Sequence, residues 1–230
     1  MILRLAAGLA LALGLVALAG YLHALGKGPW ATLEAGHLRE MKDRLDPPGS
    51  VEAFAFADFA ALPRGRPVAE YSAIEARGAS LEGYVQWLIR SPDGDLHVEL
   101  VGERRDAASP DTAYVTAEIT PQWQRGDPGW GFQRVAPALR PQHATGLPDQ
   151  PWHMDASGSA PPWEGGPRRV RLSGWLLYDY QHDTLYGVAV PGRFGAGTTV
   201  SQRLSGWEIH PVTRIEVWDE ARGAWEDVTR

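Results

Sequence analysis

Three histidines and two glutamates have the residue types from which a metal centre is built: His97, His182 and His210, with Glu118 and Glu208. Neutral imidazoles beside a carboxylate suit zinc or another borderline divalent ion, and three protein ligands leave a position for an activated water. In that arrangement His97, His182 and His210 bind the ion or position the substrate, and Glu118 or Glu208 acts as ligand or base. Without a metal the same set offers a general acid and base. The spacing matches no compact motif such as His-Glu-x-x-His, so the fold must bring these residues together.

Strands are the elements that would do so. From residue 81 the pattern takes a period of two. Leu81, Gly83, Val85, Trp87 and Ile89 alternate with Glu82, Tyr84, Gln86, Leu88 and Arg90. Ser91-Pro92-Asp93-Gly94 signals a turn, and residues 95–101 complete a hairpin. Further strands are predicted over 113–120, 170–179 and 207–217, the last bent at Pro211, with 218–228 a small hairpin or tail. Alternation sets Asp95, His97 and Glu99 opposite Leu96, Val98 and Leu100. It likewise sets Glu118 opposite Val115, Ala117 and Ile119, and Glu208, His210, Arg214 and Glu216 opposite Trp207, Ile209, Ile215 and Val217. Asp179 and His182 fall at the end of the fourth strand and in the loop beyond. Five strands, with a hairpin first and a long excursion between the third and fourth, predict a mainly β fold, an OB-like five-stranded Greek-key barrel. A sandwich usually needs about seven strands.

Each candidate has a plainer role. On a sheet with one wet face His97 is a solvated residue. Glu208 and His210 can cap the barrel by bonding to backbone. Glu118 and Arg214 can form a surface ion pair of little worth, and Asp179 with His182 can hold a loop. Asp93 and Asp95 suit a hairpin turn. His143 and His153 lack ligand spacing.

The rest of the chain sets the context. Residues 5–22 are apolar or Gly throughout, and eighteen residues rising about 1.5 Å each span about 27 Å, near the hydrocarbon thickness of a bilayer. Residues 1–27 therefore read as a membrane anchor with a single pass and an extracytoplasmic domain. Cut at Ala17-Leu18-Ala19, they would instead be a signal segment releasing a secreted or periplasmic domain. Residues 28–80 read as a helical stalk and packing segment: a short amphipathic helix over 31–45, a Pro-Pro-Gly stop, and an apolar packing helix over 51–62. Residues 81–230 form the barrel domain, interrupted at 121–169 by a Trp/Pro/Gly-rich insert too long to be a structureless loop. A formal charge of −6 argues against nucleic-acid binding through a basic surface, and the absence of Cys excludes thiolate ligands and disulfides.

Four segments together resemble a family of uncharacterised, mostly exported bacterial proteins with an OB-like barrel. They are Asp93-Gly94-Asp95-Leu96-His97, Glu118-Ile119-Thr120-Pro121, the Gly-x-x-x-x-Asp-x-x-His run from Gly174 to His182, and Glu208-Ile209-His210-Pro211-Val212. The resemblance spans residues 81–218. It implies the barrel and the grouping of these polar residues, and carries no activity; the Trp-rich insert departs from it.

That insert supports a second class of function. Trp123, Trp130, Trp152 and Trp163 could stack on sugars, and OB surfaces bind oligosaccharides, so a non-catalytic module binding a glycan or envelope protein through Trp152 and Trp163 stands beside the metal-dependent hydrolase. Tryptophans in long loops also anchor them to the domain.

Overall fold

The computed structural model describes residues 31–91, 93–104, 113–126, 130–141, 143–145, 167–183 and 202–229. Two compact units are distinguished, Met1–Glu40 and Met41–Arg230. The apolar stretch 5–22, read from the sequence as an anchor or signal segment, lies outside the described residues, among which no helix is long and apolar enough to cross a membrane. Helix α1 (Ala31–Lys42) is the first described element, three residues shorter at its end than the sequence predicts.

The second unit is built on five long strands: β2 (Gly78–Arg90), β3 (Leu96–Val101), β4 (Ala113–Ile119), β6 (Arg169–Tyr178) and β8 (Trp207–Asp219). β2 is long enough to pair twice, through Gly78–Tyr84 with β6 and through Tyr84–Arg90 with β3. β3 pairs with β4, β6 with β8, and the ring closes where β4 and β8 run parallel with Ala117 beside Ile209. This is the five-stranded barrel of OB type that the strand count predicts. Closure needs bends, and these fall at a register shift in β2 between Val85 and Trp87 and at two shifts around Gly174 in β6. Gly174 is required there: a Cβ on it would stand 2.1 Å from the Pro211 carbonyl oxygen.

The inward face is the predicted apolar one. Leu96, Val98 and Leu100 from β3, Val115, Ala117 and Ile119 from β4, and Ile209 from β8 are buried in one core cluster. Each such Leu, Ile or Val side chain contributes about 1.5–3 kcal/mol by leaving water. At one end Tyr71, Tyr178 and Trp207 pack with ring centroids 4.5–5.2 Å apart.

Several boundaries differ from the sequence reading. Residues 51–54 are not helical: β1 (Val51–Phe54) lies parallel to Gly78–Leu81, because β2 begins three residues before Leu81 and presents a free edge there. Only α2 (Phe56–Ala61) is helical, started by the Asp58 carboxylate accepting the Ala55 N–H at 2.7 Å. A 3-10 turn (Val68–Tyr71) and α3 (Ser72–Glu75) lead into β2. The described part of the insert holds α4 (Pro121–Gly126), α5 (Phe132–Leu139) and β5 (His143–Thr145), which pairs parallel with β2. α5 turns Phe132, Val135, Ala136 and Leu139 into the core. β7 (Gln202–Arg203) pairs parallel with the start of β4, and β9 (Ala224–Asp227) forms the terminal hairpin with β8.

Candidate metal centre

The outward faces of β3, β4 and β8 carry the predicted polar residues, and pairing aligns them. His97 lies directly across from Glu118, and Glu99 from Thr116. The parallel pair Ala117–Ile209 sets His210 beside Glu118 and Glu208 beside Thr116. The result is two cross-strand rows, His97–Glu118–His210 and Glu99–Thr116–Glu208. An outward face would ordinarily be wet, yet Glu118, Glu208 and His210 are all 0% exposed. β7 and Lys42, the last residue of α1, supply cationic side chains against this face.

His210 is the hub. Its Nδ1 lies 2.8 Å from Glu208 Oε1 and 3.1 Å from Glu118 Oε2. Its Nε2 is buried with no hydrogen-bond partner and faces Asp95 Oδ2 at 3.9 Å. His97 Nε2 lies 3.1 Å from Glu118 Oε1. Arg203 donates from Nε to Thr116 Oγ1 at 2.9 Å and places Nη2 3.0 Å from Glu208 Oε2. Lys42 Nζ stands 3.7 Å from Glu118 Oε2 and 3.9 Å from Asp95 Oδ2. One ligand atom each from Asp95, Glu118 and His210 lies within 4.8 Å of the other two. Tetrahedral bonds of about 2.1 Å would put ligand atoms about 3.4 Å apart, so modest closure suffices.

Burial would strip the charge from most of these groups, and their neighbours decide otherwise. Burial alone would lower the His210 pKa, but Glu118 and Glu208 lift it to about 9, so the ring is an imidazolium at neutral pH. Glu118 is buried too, and His210, His97 and Lys42 nevertheless hold it well below the usual carboxylate range. Lys42 stays an ammonium because Glu118, Glu208, Asp179 and Asp95 outweigh its desolvation. His97 is lowered by burial, against the pull of Glu118 and Glu208. Asp95 goes the other way: burial, Glu118 and Asp93 push it up to about 7 in spite of His210 and Lys42. Asp95 is thus the carboxylate of the cluster whose charge its buried surroundings oppose most.

His97, Glu118, Glu208 and His210 meet as the strand pattern predicts. His182 does not join them. Its Nδ1 lies 2.7 Å from Asp179 Oδ2, its side chain is 48% exposed, and it belongs to neither of the metal-capable groups among the described residues, Asp95–Glu118–His210 and Asp93–Asp95–His97. Local pairing three residues apart, in a 3-10 turn (Tyr180–His182), holds it at the strand end. Arg214 pairs with Glu216 and Asp227 and leaves Glu118 to the cluster. Asp93 Oδ1 accepts the Asp95 N–H at 3.3 Å as a turn residue does, whereas Asp95 is 4% exposed and faces His210. Trp123 and Trp130 are anchors of the insert, with rings 5.1 Å apart, Trp130 4% exposed and Trp123 Nε1 donating to Arg44 O. Trp152 and Trp163 lie outside the described residues.

Sequence reasoning missed Lys42 and Arg203. Lys42 sits on a helix distant in sequence, and Arg203 in a two-residue strand too short to show a period. A broad groove lined by Leu45, Phe54, Phe56, Trp123 and Arg171 contains none of the cluster residues. Glu118, Glu208 and His210 are closed off from water, and the cluster is most exposed at Lys42 (25%) and His97 (18%).

No protein-family model matches the chain, and neither a curated protein nor a solved structure matches it significantly. Function must be argued from the geometry.

Proposed function

We propose that the chain binds a divalent metal ion, held by Asp95, Glu118 and the Nε2 of His210 on the outer wall of the barrel. The observation that carries this is the His210 ring. Glu208 takes its Nδ1, as the orienting carboxylate of a metal-bound histidine does, while its Nε2, whose proton an arriving ion would displace to solvent, is buried, without a hydrogen-bond partner and turned toward the Asp95 carboxylate. One imidazole and two carboxylates suit zinc or manganese. His97 braces Glu118 from the far side.

Three protein ligands leave a coordination position for water, and an ion lowering that water's pKa supports hydrolysis. The reading is thus a metal-dependent hydrolase, with His97 and Lys42 at the partly open side where a substrate would arrive. The apolar stretch 5–22, long enough to span a bilayer as a helix, supports reading it as a tethered protein of the cell envelope, facing away from the cytoplasm.

Full-length chain extracted in detergent without chelator should carry about one zinc or manganese per chain by elemental analysis. His210→Gln and Asp95→Asn should lose the ion, and His182→Gln should keep it. Folded wild type free of metal, and taking up none on addition, would refute the proposal. For the hydrolytic reading, manganese-loaded chain should enhance water-proton relaxation; no enhancement would mean a sealed structural ion.

A further inference from the structure

We infer that Lys42 is a built-in cation of the candidate metal centre, which a divalent ion must displace to enter. The inference rests on the metal reading above and adds how the site is regulated. Lys42 Nζ lies 3.7 Å from Glu118 Oε2 and 3.9 Å from Asp95 Oδ2, on two of the three groups assigned to the ion. The same Asp95 oxygen faces His210 Nε2 at 3.9 Å. The ammonium and the His210 Nε2 thus converge on one oxygen, and the ammonium stands where the charge of the ion belongs. A divalent ion bound to these oxygens within about 2.0–2.2 Å would lie within a few ångströms of Nζ, in surroundings where like charges are poorly screened. Both cannot stay.

The structure allows the ammonium to leave without moving the backbone that carries it. The chain just after Lys42 is pinned to the barrel. Arg44 Nη1 donates to Glu75 O at 2.7 Å, and its guanidinium carbon lies 4.5 Å from the centre of the Trp175 ring. Trp123 Nε1 donates to Arg44 O at 3.0 Å, and Trp175 Nε1 to Asp46 O at 2.8 Å. The Lys42 side chain is different: a flexible four-carbon stem, 25% exposed, whose charged end can swing into water. Its departure would also open the face of the site that is otherwise closed. Lys42 therefore sets a threshold: at low ion concentration it satisfies Asp95 and Glu118, and at higher concentration the ion replaces it and admits water.

The test is zinc and manganese affinity of the full chain, measured by competition with a chelating dye. Lys42→Gln removes the charge at similar length, and Lys42→Met does so should the Gln variant fail to fold by circular dichroism. Lys42→Arg keeps the charge. The uncharged variants should bind at least about ten-fold tighter than wild type, while Lys42→Arg binds no tighter. Uncharged variants with wild-type or weaker affinity would overturn the displacement and leave the metal site standing. No uptake by wild type or any variant would overturn the metal reading and this inference together.

Discussion

Two walls of one barrel carry charge, and they use it differently. On the β2–β6–β8–β9 side, Glu82 pairs with Arg169 and Arg171, and Arg214 reaches Glu216 and Asp227. Arg171 and Arg169 stack over Trp225 at 4.1 and 5.3 Å. Glu82 and the arginines reach water, the Glu82 side chain being 36% exposed and that of Arg214 48%, while Glu216 is buried. On the β3–β4–β8 side, Glu118, Glu208 and His210 have side chains 0–1% exposed, and the pairs among them are not all geometrically satisfied. The first wall is surface chemistry that happens to pair well. The second keeps ionised groups out of water, where a charge left without a partner is expensive, so it is the wall on which a functional ion has a reason to sit.

The largest expected effect tests that contrast at its centre. Glu118→Ala removes the carboxylate that His97, His210 and Lys42 share, and should cost about 3–5 kcal/mol in equilibrium denaturation, because the buried cations lose their counter-charge. A loss under about 1 kcal/mol would mean the two walls are equivalent. Next comes the acid limb of stability. Burial alone would raise the Asp179 pKa, but the His182 hydrogen bond holds it at about 2. The unfolded chain takes up this proton near the ordinary value of 3.8, so the stabilisation is present above that pH and lost as pH falls toward 2. The limb should amount to about 2 kcal/mol and should flatten in Asp179→Asn, read by urea melts at pH 4.5 and about pH 2. Glu208→Gln sharpens the comparison at the level of binding: with the partner of His210 Nδ1 uncharged, metal affinity should drop about 10–100-fold in dye competition, with the fold retained. Smallest is the exposed wall, where Glu82→Ala should change stability by less than about 1 kcal/mol. A larger loss would show that the stacked arginines act as a network.

The apolar half of this structure is legible in the sequence because it is periodic. Alternation in β3, β4 and β8 names the inward residues, and by subtraction it also names His97, Glu118, Glu208 and His210 as sharing the other face. Alternation cannot say whether that face is wet. It is covered by partners from far along the chain: Lys42 lies 76 residues before Glu118, and Arg203 lies in a two-residue strand. Neither leaves a local signal. Asp95 was hidden for the opposite reason: Asp-Gly-Asp already explains itself as a turn, and Asp93 does bond to the backbone as a turn residue. His182 misleads through local chemistry, since Asp179 three residues earlier satisfies it before any distant ligand can. The strand at 51–54 reads as apolar helix because parallel pairing to a sheet edge leaves no alternating signature in four residues.

X-ray absorption at the metal edge of zinc-loaded full-length chain addresses the central claim most directly. The proposed ligands give a shell of oxygen and nitrogen at about 2.0–2.2 Å containing one imidazole, and that imidazole should vanish in His210→Gln while surviving in His182→Gln. A shell with no imidazole, or one lost with His182 and indifferent to His210, would contradict the account.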